Sequence, residues 1–182
     1  MKKIFIFLLI LLSSTVLAET GGWVTKDGEL VPNTDAMKSI NGFGAWLVVT
    51  PDSDWEKKWN TPQEMIPHFS EAKEVFYGEE LTILTFYINP KTSPSGNFDI
   101  LCDIKVTKPD GSYSVNAKDV QCASGKLQGN PKNVRLSDAI IKYIGEESDP
   151  VGKWLVEVTL TDKVRGTVVP LKAHFNLQGS KG

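Results

Sequence analysis

The chain has 182 residues, 20 Lys and Arg against 22 Asp and Glu, a formal net charge of −2, two cysteines and two histidines. So slight an acidic balance argues against nucleic acid as partner, because phosphate binding draws on a concentrated basic surface. The length allows one good core with an extension, and not comfortably two.

Lys2 and Lys3 precede an unbroken apolar run from Ile4 to Leu12, and small residues near Ala18 stand where a signal peptidase reads. The pattern predicts a secretory signal peptide over residues 1–18, too short and wrongly flanked for a membrane span. Cleavage after Ala18 leaves a mature chain from Glu19 with 18 basic against 22 acidic residues, a net of −4. No cysteine lies near the cut to carry a lipid, and no later run is long and apolar enough to cross a bilayer. The expected location is periplasmic or secreted, with the mature protein soluble.

Residues 19–44 are predicted as an N-terminal arm or a small hairpin around Asp27-Gly28, followed by a polar, loosely held run from Asn33 to Ser39. The main domain is expected over residues 45–182. It begins with a short strand, Ala45 to Thr50, apolar on both faces and stopped by Pro51. Trp55 and Trp59 sit four apart, which puts both indoles on one side of a helical turn. Thr61-Pro62-Gln63-Glu64 then combines a capping Thr, a Pro at the first helical position and a Glu three residues after the cap, before Pro67 ends the run. One or two short helical turns crossing between strands follow from this.

Leu81 to Ile88 is nearly all apolar or β-branched and predicts a central strand buried on most of both faces. Phe98 to Thr107 alternates, Lys108-Pro109-Asp110-Gly111-Ser112 is a turn, and Tyr113 to Val120 returns. Leu136 to Ile144 admits a helical turn capped by Ser137 or a strand, and its Ile and Tyr content favours the strand. The clearest pattern lies in residues 152–177, where Trp154, Val156, Val158 and Leu160, then Val169, Leu171, Ala173, Phe175 and Leu177, alternate with polar neighbours across a turn ended by Gly166. A lone hairpin is marginal, so its apolar face requires a second layer. With Gly/Pro turns between runs and no long helical period, the fold class is all-β: an antiparallel β-sandwich of about seven or eight strands with a short helical crossover and an N-terminal extension.

In an exported chain, Cys102 and Cys122 favour a disulfide, because two thiols with no His nearby make a poor metal site. The closed loop of about 20 residues is worth roughly 3 kcal/mol in the chain-entropy model. Face parity agrees, since Cys102 shares a face with Ile100 and Ile104, and Cys122 shares one with Val120.

Several landmarks occur in order: Phe76-Tyr77-Gly78-Glu79-Glu80-Leu81-Thr82, Lys108-Pro109-Asp110-Gly111, residues 149–158 (DPVGKWLVEV) and Phe175. Together they resemble immunoglobulin-like sandwich modules of the macroglobulin type, over about the last two-thirds of the mature chain. The chain also looks like small exported bacterial proteins with no assigned activity. This resemblance implies a fold and a location, and no mechanism, because unrelated functions share the scaffold. No Cys-Gly-Glu-Gln thioester motif is present.

Groups able to carry chemistry are sparse. Nucleophilic catalysis needs a base held beside Ser or Cys. His174 falls on the wet face of its strand and His68 follows Pro67 in the crossover, and neither has a nucleophile elbow to serve. Glu146, Glu147 and Asp149 lack the alternating ligands of a calcium loop and read as turn acids. Asp99 and Asp103 lie on the wet face of a strand beside Lys105 and read as solubilising rather than as a glycosidase pair. No Gly-rich phosphate loop precedes a helix. The expectation is therefore no catalytic residue, no cofactor and no metal ligand. The aromatic group Trp46, Trp55, Trp59 and Phe69 is the candidate binding surface, with packing onto the sandwich as the favoured alternative. Pro170 suggests that its strand is an edge or bulged. These readings favour an exported, non-enzymatic module contacting another cell-envelope protein. A glycan- or peptidoglycan-facing binder using tryptophans ranks second, and a hydrolase or metal-dependent enzyme last.

Overall fold

The computed structural model describes residues 22–25, 27–61 and 67–181. The hairpin read from residues 152–177 is its organising element: β9 (Gly152–Asp162) and β10 (Thr167–Gln178) pair antiparallel from Gly152 opposite Leu177 to Asp162 opposite Thr167 without a register shift. Eight other strands precede it: β1 (Met37–Ile40), β2 (Phe43–Thr50), β3 (Glu74–Phe76), β4 (Glu80–Ile88), β5 (Asn97–Thr107), β6 (Tyr113–Lys126), β7 (Arg135–Leu136) and β8 (Ile141–Ile144). The one described helix is α1 (Trp55–Trp59).

The strands form two five-stranded sheets. One runs β1-β2-β4, with β7 and β8 both on the far edge of β4; the other runs β3-β10-β9-β5-β6. All pairings are antiparallel except β3 with β10. The result is an all-β sandwich with more and shorter strands than the sequence pattern suggests. Part of the excess, beside β1 and β3, arises because Ser137 divides the run Leu136 to Ile144: its buried hydroxyl donates to the Cys122 carbonyl at 3.2 Å and accepts the Ala139 N–H at 3.1 Å. A side chain bonding locally in this way competes with the ladder and leaves β7 and β8 on either side.

Period-two alternation builds the core. Trp154, Val156, Val158 and Leu160 of β9 and Val169, Leu171, Phe175 and Leu177 of β10 are 0–1% exposed, facing Phe43, Leu47, Leu81 and Ile83 of the other sheet. The strand at 45–50 in fact starts at Phe43, and the polar run before it supplies β1, whose Met37 pairs with Trp46. Phe43 is fully buried, so the sandwich begins before residue 45. The Asp27-Gly28 hairpin is present, with Val24 bridged to Leu30 and Gly28 at φ +83°. The signal sequence and the turn begun at Pro62 lie outside the described residues.

At one end of the sandwich, the sequence landmarks meet. Asp149 accepts the Lys108 ammonium at 3.1 Å and the Tyr143 hydroxyl at 3.3 Å, while its carbonyl accepts the Tyr77 hydroxyl at 3.1 Å. Lys108 also lies 5.4 Å from the centroid of the Trp154 ring, which packs with Tyr143 and Phe175. The turn from β5 to β6 closes with Gly111 at φ +86°, which an L side chain rarely adopts. Cys102 and Cys122 form a buried disulfide with Cα atoms 5.7 Å apart. Cys122 is the extra residue of a bulge, since Gln121 pairs with Leu101 and Ala123 with Ile100.

Candidate functional site

The aromatic group does come together, as packing. Trp55 and Phe69 are 6% and 5% exposed and join Val48, Leu84 and Phe86 in a second small core on the outer face of the β1-β2-β4 sheet. Phe86 is its hub, with ring centroids 5.2 Å from Trp46, 5.2 Å from Trp59 and 5.4 Å from Phe69. Trp23 from the N-terminal hairpin stands edge-on to Trp46 at 6.4 Å and donates its indole N–H to the Ala45 carbonyl. This outer cover is why β2 and β4 are apolar on both faces. Of the four, Trp55 and Phe69 are thus taken up in packing, and only the half-buried Trp46 and Trp59 reach solvent.

One carboxylate holds that cover in place. Asp52 accepts the Lys58 ammonium of α1 at 2.7 Å and the Ser70 N–H at 2.8 Å, so the helix and the segment bearing Phe69 are tied together. Burial pushes the Asp52 carboxyl up, but the hydrogen bonds from Lys58, Ser70 and Thr50 outweigh it and hold it at about 2.

The other candidates are engaged locally. Asp99 accepts the Gln121 side-chain amide at 2.9 Å and Asp103 the Asp119 N–H at 3.0 Å, both of which shape the irregular β5–β6 pairing. Asp149 is occupied by Lys108 and Tyr143, and burial first, then the Asp149 charge, pushes the Tyr143 hydroxyl up. Among the described residues, no three His, Cys, Asp or Glu side chains are grouped to hold a metal ion. No described helix is long and apolar enough to cross a membrane.

A feature the sequence pattern missed lies where the open edges of the two sheets face each other. Two segments lace the β2 and β10 edges. In the first, the Ala36 carbonyl accepts the Leu47 N–H and the Asp35 carbonyl accepts the Lys172 N–H, each at 2.8 Å. In the second, the Ala72 N–H donates to the Val49 carbonyl at 2.8 Å and the Lys73 carbonyl accepts the Asn176 N–H at 2.9 Å. Between the laces a pocket of about 810 Å³ opens.

Its walls follow from strand parity. Because Lys172 and Asn176 donate away from β9, the alternation of an antiparallel ladder directs the His174 N–H and carbonyl the same way, into the gap. Pro170 shares this parity, so its missing N–H costs no bond to β9. β10 is bordered by β3 only at Asn176–Gln178, which leaves Pro170 on a locally open edge without a bulge. Leu47, Val49 and Ala72 give the pocket an apolar lining, joined by Ala173. Ala173 is the one small residue in the inward register of β10 and is half-buried where its neighbours Leu171 and Phe175 are fully covered. The rim carries Lys73, Lys153, Lys172 and His174, with Asp35 and Glu71 opposing them. His174 is exposed, as its polar parity predicts, and the alanine at 173 was the signal that the edge is thin there.

No family model matches the chain, and no curated protein does. Among solved structures, it is similar to a family 123 glycoside hydrolase from Clostridium perfringens, at 7% identity and a TM-score of 0.44, covering 74% of this chain and 27% of that one. It is also similar to a Niemann-Pick type C2 protein from Japanese carpenter ant, at 7% identity and a TM-score of 0.38, covering 78% and 91%. A third likeness is to an alkylpurine DNA glycosylase from Pseudomonas fluorescens bound to DNA containing an abasic site analog, at 16% identity and a TM-score of 0.37, covering 58% and 27%. The chain thus spans about a quarter of the length of the two enzymes, and all three TM-scores lie below 0.5.

Proposed function

We propose that the protein is an exported, non-enzymatic binding module of macroglobulin-like immunoglobulin type that contacts another cell-envelope protein. The observation that carries this reading is the pocket between the β2 and β10 edges, which offers strand backbone, apolar lining and charge at one surface. Edges of this kind are where sandwich domains take partners. The buried Cys102–Cys122 bond supports export, because disulfides persist in oxidising compartments. The acids and histidines that catalysis would draw on are either engaged by neighbouring strands and turns or exposed, which favours binding over turnover. The glycan-facing alternative retains only Trp46 and Trp59, whose rings are largely taken up by Phe86.

Crosslinking in intact cells, followed by purification of the tagged protein, tests the reading. A small, reproducible set of envelope proteins is expected, on a mature chain whose first residue is Glu19. Recovery of nothing above an untagged control, or retention of the protein in the cytoplasm, rejects it.

A further inference from the structure

We propose that the gap beside His174 takes the free C-terminus of an extended peptide whose last two side chains are apolar. The proposal rests on the binding-module reading above and gives it a site and a partner chemistry. Alongside β10, Asp35 and Lys73 already occupy the positions bonded to Lys172 and Asn176, leaving only position 174 between them. Residues two apart on a strand are separated by about 7 Å, so the row has room for about one foreign residue. A continuous strand laid along β10 would collide with Asp35 or Lys73.

A chain end satisfies that restriction. Its last N–H donates to the His174 carbonyl and one carboxylate oxygen accepts the His174 N–H, the exchange an antiparallel neighbour makes at a bonded pair. The second oxygen faces the lysines of the rim. Lys172 is held 3.0 Å from Glu157, whereas Lys73 and Lys153 have no ion-pair partner among the described residues. Asp35 and Glu71 offset part of this charge, which suits a single carboxylate better than a polyanion. Side chains of paired residues share a face, so the last one lies on the outer face beside His174 and Leu155, which are opposite each other in register. The preceding residue then falls opposite Phe175 with its side chain turned inward to the apolar lining of Leu47 and Val49 and diagonally to Ala173, and the chain leaves the row through the pocket mouth short of Lys73. The pocket volume exceeds that of one residue and lies within the range of ligand sites.

Nitrogen-15-labelled mature protein is titrated with acetyl-Gly-Ser-Gly-Val-Val as the free acid, with the same peptide as its amide, and with octanoate. The free acid is expected to shift the amide signals of Ala173, His174, Val49 and Lys73 saturably, and the amide to bind at least about tenfold more weakly, the loss of a charge-assisted hydrogen bond. Ala173→Leu fills the pocket and abolishes binding. If that variant unfolds, the exposed pair Lys73→Glu and Lys153→Glu tests the same site, and is expected to weaken the free acid about tenfold. Equal binding of acid and amide, shifts confined to other surfaces, no saturable shift at millimolar peptide, or octanoate binding as tightly as the peptide each overturns the proposal. Envelope crosslinks that persist unchanged in the Lys73→Glu, Lys153→Glu variant reject this site while leaving the binding-module reading standing; their absence in the wild type rejects that reading instead.

Discussion

The buried carboxylate of Asp162 accepts the backbone N–H of Lys91 at 2.8 Å, joining the β9–β10 turn in one sheet to the segment leaving β4 in the other. Its second oxygen accepts the N–H groups of Val164 and Arg165 at 3.1 and 2.9 Å. The Arg165 guanidinium lies 3.5 Å from the carboxylate and donates to the carbonyls of Asn41 and Asn89, both residues in left-handed backbone. Three chain reversals are thus fastened by one ion pair.

Asp162→Ala removes the buried carboxylate that faces the half-buried Arg165 guanidinium and accepts the N–H groups of Lys91, Val164 and Arg165, and is expected to lower stability by about 3–5 kcal/mol. Asp162→Asn, which keeps one accepting oxygen, costs less. Urea unfolding of the two variants beside the wild type checks the order; equal stability of all three rejects the role of this pair.

Replacing both Cys102 and Cys122 by alanine opens a loop of 20-residue separation and should cost roughly 3 kcal/mol. The β5–β6 hairpin remains paired with β9, so the sandwich is retained at a lower melting temperature. Thermal unfolding with and without reductant measures the loss, and the alanine variant should be insensitive to reductant.

The outer aromatic layer yields a third expectation. Trp55→Ala removes a buried indole and should destabilise by about 3 kcal/mol or more, while Trp59→Ala, at a half-buried position, should cost less. Fragments of peptidoglycan added to the wild type should leave tryptophan emission unchanged. Saturable quenching that disappears in Trp59→Ala would instead restore the glycan-facing reading.

Acid should act through Asp52. Its folded pKa of about 2 lies below the ordinary 3.8, so the stability it contributes is complete above pH 4 and is lost as pH falls toward 2. Lys58 is partly exposed and the ion pair is screened, so the contribution is about 1 kcal/mol. Asp52→Asn should flatten this part of the pH–stability curve without altering the plateau slope near neutrality. An unchanged acid limb in the variant assigns the acid sensitivity elsewhere.

Elements defined by near-neighbour chemistry were legible in the chain. The alternation of β9 and β10, the Pro-Asp-Gly turn, the double-sided burial of β4 and the pairing of Cys102 with Cys122 all depend on side-chain parity, turn residues or cysteine count, which the order of residues displays directly. β1 was not legible, because Met37–Ile40 is half-buried and carries no apolar face; it forms where β2 offers an edge. Nor was the fate of Trp55 and Phe69, since a ring suited to a binding surface is equally suited to a core.

Sequence alone determined which residues turn inward along each strand, and hence that two sheets enclose one apolar interior. Only the tertiary structure decided which strand edges stay open and what lies across them. Backbone N–H and C=O groups are the same at every residue, so the opening beside His174 is set by Asp35 and Lys73, brought to either side of it from distant parts of the chain.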